Sequence, residues 1–224
     1  MQNSRAWLWV ECIAVFIVVP ALFGLKLITT PLILIPLLLV CLPAVIWLGM
    51  TRGFTAAVFW RGNANQERQY LGFMLKRFLM TSLLLVLVAA VAMPLHLFDF
   101  PRSMPLLWLL FVVGYPLVSV YPQEVLYRAF FFTRYTNIFR SEQSLIWANA
   151  FLFGWMHVAF ANVAAVVLTL ISGWFFATTY HQTRSLRLVW FEHALYGALV
   201  FSVGYGRLFV FEPDFQSMLN RLGE

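Results

Sequence analysis

Charge is the scarcest commodity in this sequence. Only 11% of its 224 residues are Asp, Glu, Lys or Arg, whereas a soluble domain carries about 25% to keep its surface in water. That shortage excludes an ordinary soluble protein. Cysteine is scarce too: Cys12 and Cys41 both lie in apolar runs, so no disulfide framework is present. The basic residues form no stripe and no recognition motif, which excludes nucleic acid as a partner despite the net charge of +6. The C-terminal Arg221-Leu222-Gly223-Glu224 lacks the Cys of a prenylation signal. Polar stretches long enough for a second domain, low-complexity segments and internal repeats are also missing. The chain therefore reads as one integral membrane unit over residues 1–224.

What is abundant is apolar: 62% of residues are hydrophobic and 18% aromatic, with a mean hydropathy of +0.82. A helix needs about 20 apolar residues to cross a bilayer. On that rule spans are expected at Trp7 to Leu25, Leu27 to Met50, Leu71 to Phe98, Leu145 to Asn162, Val163 to Tyr180 and Leu186 to Gly206. A polar loop occupies Thr51 to Gln69. The stretch Met104 to Phe139 is unusually long, and Pro116 and Pro122 should break it. The expected fold is all-α: a polytopic bundle of seven spans, or eight if the broken stretch holds a further short helix. Arg5 before the first apolar run resembles a signal peptide, but Glu11 interrupts the run and no small-residue cleavage site follows. The segment is read as a retained span.

Alternation of the loops then sorts the cations. One side holds Arg5, Arg52, Arg61, Arg68, Lys76, Arg77, Arg128, Arg134, Arg140, Arg184 and Arg187; the other holds Lys26, Arg102, Arg207 and Arg221. Positive charge stays in the cytoplasm. The N-terminus is expected there, in a bacterial cytoplasmic membrane, with the lipid bilayer as the constant partner.

A few ionisable residues nonetheless fall inside spans, where each costs about 2.5 kcal/mol or more on insertion scales and marks function by default. Glu124 and Arg128 stand four apart in Tyr-Pro-Gln123-Glu124-Val-Leu-Tyr-Arg128, on one helix face where they can pair. His157 ends Phe153-Gly-Trp-Met-His157, and Glu192 and His193 adjoin in Trp190-Phe-Glu-His-Ala-Leu-Tyr-Gly197. Each has a plain structural alternative: an ion pair after Pro122, a histidine bonded to a carbonyl, and a Glu192 paired with Arg128 or Arg184. At about 1.5 Å of helix rise per residue, the three groups lie at compatible depths from the cytoplasmic face. A shared chamber opening to the cytoplasm is expected. A carboxylate, two imidazoles and a guanidinium are a hydrolytic tool set: a base for water, groups for an oxyanion or a metal, and a clamp for the carboxylate. The same residues could carry protons in a small transporter.

These residues resemble the CAAX protease and bacteriocin-processing (CPBP, Abi) family of intramembrane proteases. Its pattern is Glu-Glu-x-x-x-Arg, then Phe-x-x-x-His, then His-x-x-x-Asn or Asp. Here the segments are Gln123-Glu124-Val-Leu-Tyr-Arg128, Phe153-Gly-Trp-Met-His157 and His193-Ala-Leu-Tyr-Gly197, the last preceded by Thr183-Arg184-Ser185-Leu186. The likeness covers residues 114–206. It implies a helical bundle with an intramembrane cavity, and an endopeptidase acting on a membrane-associated or prenylated peptide or protein. It gives Glu124, Arg128, His157 and His193 as catalytic residues. Two positions depart: the first Glu is Gln123, and the polar residue after the second histidine is Gly197. Glutamine can position water but cannot take its proton, so Glu124 or Glu192 would have to serve as base. The Glu192 assignment has no counterpart in the family pattern. No cofactor is assigned; a divalent metal such as zinc, if used, would find His157, His193 and Glu124. The departures also motivate a second reading, a non-catalytic member that binds peptides or partner membrane proteins.

Overall fold

The computed structural model describes residues 4–28, 34–52 and 64–209. The tip of the polar loop with Arg61, and the polar tail with Arg221, lie outside the described residues. Among the described residues there is helix and no strand. Seven long helices carry the architecture, labelled here in chain order: α1 Arg5–Gly24, α2 Leu34–Arg52, α3 Ala64–Ala92, α4 Pro105–Arg134, α5 Glu142–Met156, α6 Val163–Thr183 and α7 Leu186–Val203. Five of them (α1, α3, α4, α6 and α7) are long and apolar enough to cross a membrane; the apolar part of α2, Leu37–Thr51, is shorter. Helix α5 has 15 residues and tightens into a 3₁₀ turn at His157–Phe160. Leu79, Leu83, Leu87 and Val91 are exposed along α3, while Arg128, Glu124 and Glu192 are fully buried. Apolar outside and ionic inside is the polarity of a protein dissolved in lipid. The protein is an integral membrane helical bundle.

Local sequence explains where the helices start. Ser4 accepts from Trp7 N–H at the head of α1. Ser141 and Ser144 form a reciprocal capping box on α5. Asn162 Oδ1 accepts from Ala164 and Ala165 N–H, and Ser185 Oγ from Leu188 N–H. Each satisfies donors that have no partner inside the helix.

Helix α4 corrects the expectation of a broken stretch. It runs unbroken from Pro105 to Arg134. Pro116 opens a π-helical turn, Pro116–Val120, and a second follows at Val125–Phe130. Widening the turn accommodates the absent proline N–H and the ring clash without ending the helix. No further span forms inside this stretch; the short helix Asp99–Ser103 precedes it.

Polar contacts tie the helix ends in two sets. At one end Arg5 donates to Ile138 O (3.3 Å), and Arg134 grips both oxygens of Glu11, at 2.9 and 2.7 Å. There too Arg187 binds Glu67 and His181 meets Glu142 (3.0 Å). At the other end Gly24 abuts Val158, and Gly204 abuts His96 O. The ends therefore alternate as the loop count requires. Two of the cations assigned to loops do not belong there: Arg77 and Arg128 are buried ion-pair partners, with side chains 10% and 0% exposed.

The most extensive helix contact among the described residues is α5 on α6, through small residues as is usual in membranes. A Cβ on Gly154 would lie 2.9 Å from Leu170 Cβ and 3.0 Å from its Cα. Because part of that obstacle is backbone, Gly154→Ala should cost about 1–3 kcal/mol by overpacking. Gly72, with nothing within 4 Å of its would-be Cβ, should instead gain about 0.5–1 kcal/mol on Gly72→Ala from helix entropy. Thermal unfolding in detergent micelles reads both signs.

Candidate active site

The site begins on α4. Glu124 ends the α-helical turn after Pro122, and Arg128 lies in the π turn that follows. The predicted i, i+4 pair is present, with Arg128 Nε 3.2 Å from Glu124 Oε2. The guanidinium is 4.5 Å from the Phe153 ring and 5.5 Å from that of Phe176, and donates to Gly173 O at 3.5 Å. Two aromatic faces replace the water that this cation has lost. Asn149, fully buried on α5, donates to Tyr127 O at 2.6 Å, fastening α5 to the same π turn.

Helix α7 brings His193 to the other oxygen of this carboxylate. Nδ1 lies 2.7 Å from Glu124 Oε1. The imidazole stacks on Phe176, with centroids 4.6 Å apart and planes at 22°, and meets Phe153 edge-on at 5.5 Å. A carboxylate oxygen accepts, so Nδ1 carries the proton and Nε2 keeps its lone pair. Tyr115 hydroxyl stands 3.3 Å from that Nε2. His157 has the same tautomer for a different reason: its Nδ1 is 2.8 Å from Phe153 O, which can only accept. The rings of His157 and His193 flank Phe153, with centroids 5.1 and 5.5 Å from it.

His157, Gln123 and Ser119 are the polar lining of a cavity of about 120 Å³. Its other walls are apolar side chains of α1, α2, α4 and the α5 end, among them Val19, Phe23, Leu37 and Met156. Gln123 Nε2 donates to Ser119 Oγ at 2.9 Å, while Gln123 Oε1 has no hydrogen-bond partner among the described residues. The chamber was expected to open on the side of the N-terminus. The lining residues Val19, Phe23 and Phe160 instead lie toward the opposite helix ends, where Gly24 abuts Val158.

Four of the five residues singled out in the sequence thus meet around Phe153, with Glu124 joining Arg128 to His193. Glu192 stands apart. Its Oε1 is 2.5 Å from Arg77 NH2 and its Oε2 accepts from Thr179 Oγ1 at 2.6 Å. The plain alternative, an ion pair with a cation such as Arg128 or Arg184, is present, but the cation is Arg77 of α3. Adjacent helix positions point about 100° apart, and here His193 takes the α4 side and Glu192 the α3 and α6 side. Both carboxylate oxygens are engaged on the α3 and α6 side, by Arg77 and Thr179, and neither is recorded in contact with His193.

Two imidazoles that donate from Nδ1 and keep a lone pair on Nε2 are what zinc asks of histidine. A third ligand is lacking. Among the described residues no three His, Cys, Asp or Glu groups converge on one point, and Glu124 is committed to His193 and Arg128. The proposed ligand set does not fit a metal.

Sequence reasoning missed Tyr115, Arg77 and Thr179. Arg77 carried its own signal, a charge six residues inside a predicted span starting at Leu71, but it was counted as a loop cation. Tyr115 and Thr179 carried none, because their roles come from neighbouring helices.

The family model described as Type II CAAX prenyl endopeptidase Rce1-like matches residues 102–199. No curated protein and no solved structure matches the chain. The matched segment holds α4, α5, α6 and most of α7, and with them Glu124, Arg128, His157, Glu192 and His193.

The buried pair of Glu192 and Arg77 generates its own test. Removing one partner of a buried pair costs about 3–5 kcal/mol, because the other charge is left uncompensated. Arg77→Met should therefore lower unfolding stability in detergent by that order. The double variant Arg77→Met/Glu192→Gln should recover part of the loss.

Proposed function

We propose that this chain, whose residues 102–199 match the CAAX prenyl endopeptidase family model, is a member of that family and an intramembrane endopeptidase that hydrolyses a peptide bond of a membrane-associated or prenylated peptide or protein. The observation that carries the reading is the buried contact of Glu124 Oε1 with His193 Nδ1 at 2.7 Å. A carboxylate on Nδ1 fixes the tautomer and stabilises the imidazolium that forms when Nε2 takes a proton. His193 is then the general base and Glu124 its orienting partner, itself held by Arg128.

The step balances without a further reactant. Water gives a proton to His193 Nε2 as its oxygen adds to the peptide carbonyl carbon, and the carbonyl electron pair moves to oxygen. Collapse breaks the carbon–nitrogen bond, and the imidazolium returns the proton to the leaving amine. His157 Nε2, an acceptor on the cavity wall, holds the attacking water or a substrate N–H. Gln123 orients water beside it without accepting its proton. Glu192 is structural in this scheme. The bias of positive charge supports a bacterial cytoplasmic membrane with the N-terminus and the Arg134 to Arg140 turn on the cytoplasmic side. The cavity then lies toward the opposite leaflet.

One observation favours a second reading. Glutamine, not a carboxylate, lines the cavity at position 123, as in a member that binds a peptide without cutting it.

One cleavage assay separates the two. The protein in liposomes, given a quenched fluorescent membrane peptide, should cleave it. His193→Ala and Glu124→Gln should each lower kcat by about 10²–10⁴, the usual worth of a general base and its support. Glu192→Gln should leave kcat per folded molecule within a few-fold. Full activity in both His193→Ala and Glu124→Gln would sink the mechanism, and binding without cleavage in the wild type would favour the second reading. Orientation has a separate test: in a background free of Cys12 and Cys41, a cysteine at Arg140 should react with an impermeant reagent only after the cells are opened, and one at Lys26 in intact spheroplasts.

A further inference from the structure

Gly197 is one helical turn beyond His193 on α7, so the two share a face. That face is filled from α4. A Cβ built on Gly197 would lie 2.3 Å from Tyr115 Cε1, 2.9 Å from Cζ and 3.0 Å from the hydroxyl oxygen. No side chain other than hydrogen leaves room for the tyrosine where it stands. Aromatic neighbours hold the ring as well: Phe111 stacks on it at 4.9 Å and 17°, and Phe201 lies 6.0 Å away. The helix register is fixed by Trp190 Nε1, which donates to Pro116 O at 2.7 Å, next to Tyr115 in the chain. All of this delivers one polar atom, the Tyr115 hydroxyl, to 3.3 Å from His193 Nε2.

We propose that Tyr115 is the hydrogen-bond donor for the developing oxyanion at the reacting face of His193, and that Gly197 is glycine in order to admit it. The inference rests on the hydrolase reading above. A peptide carbonyl attacked by water held at Nε2 sits within reach of a hydroxyl already beside that atom. The resting bond is long for an O–H···N contact, as catalytic hydrogen bonds often are before substrate arrives. The O–H turns from Nε2 to the oxyanion, which is a far stronger acceptor in a buried, low-dielectric site. Tyr115 keeps its proton throughout, so the proton balance of the hydrolysis is unchanged. No other hydroxyl among the described residues is recorded in hydrogen-bond contact with either histidine.

The test uses the full chain in liposomes and in detergent. Tyr115→Phe retains the ring and its stacking and removes only the hydroxyl. It should lower kcat by about 10²-fold, the loss seen for one oxyanion donor, with KM within twofold and the unfolding midpoint unchanged. Gly197→Ala, which pushes the ring away, should lose kcat to a similar degree, and Tyr115→Phe/Gly197→Ala should be no worse than the poorer single variant, since both remove the same contact. In ¹⁵N-histidine NMR spectra the His193 Nε2 resonance should move in both single variants, and the His157 resonance should not. Wild-type kcat in Tyr115→Phe, or an unmoved His193 resonance, overturns the inference while the hydrolase reading stands. A wild type that cleaves nothing overturns the hydrolase reading, and the donor role falls with it.

Discussion

The carboxylate of Glu124 is shared between a guanidinium and an imidazole in the buried interior of the bundle. Unpaired, a fully buried charge costs several kcal/mol, so the helices that supply its partners have to stay where they are. Arg128 comes from the same helix, His193 from α7, and the aromatic faces that shield the guanidinium from α5 and α6. One anion thereby fixes the relation of four helices. It also decides which nitrogen of His193 is protonated, and so what the imidazole can do. Packing and chemistry are not separable here: the contact that holds the bundle together is the one that would poise the base.

The π turns of α4 serve that contact. A regular α-helix through Pro116 and Pro122 would have to kink or end. Widening at Pro116–Val120 and Val125–Phe130 lets the helix continue to Arg134, while the departures from α geometry are met by side chains. Trp190 bonds Pro116 O and Asn149 bonds Tyr127 O. Both donors come from the helices that carry His193 and His157. The irregular backbone of α4 therefore acts as the template on which the two histidine helices are registered, and π-bulges gather at functional sites for this kind of reason.

How much of this could be read beforehand varied with the distance over which each residue acts. Glu124 and Arg128 were legible because four residues of helix bring them together. The spans were legible because lipid imposes length and hydropathy, and their alternation follows from the chain alone. His157 and His193 were legible as costly groups in apolar helices. Their neighbours were not, since they depend on how helices rotate against one another. Glu192 shows the limit: being next to His193 in sequence suggested a shared task, but helix geometry turns it to Arg77 and Thr179 on α3 and α6. Arg77 was in view as a charge and was misplaced by treating every cation near a span end as a loop residue. The prolines misled in the same way, because the rule that they end helices ignores the π turn as an alternative.

Gln123 and Gly197 are better understood from space than from pattern. Read along the chain, each is a missing polar group. Read in three dimensions, Gly197 is the vacancy that Tyr115 fills, and a hydroxyl from α4 stands beside His193 Nε2 where α7 supplies none. Gln123 and His157 both line the cavity, while the carboxylate one residue on, turned by the helix, reaches His193 at Nδ1. A base does not have to be the group that touches water; a carboxylate one hydrogen bond removed can act through a histidine. Position-by-position comparison scores such a site as incomplete because it asks whether each helix keeps its own residue. The chemistry asks only whether an acceptor, a donor and a fixed tautomer meet at one atom, and neighbouring helices can supply them in a different division of labour.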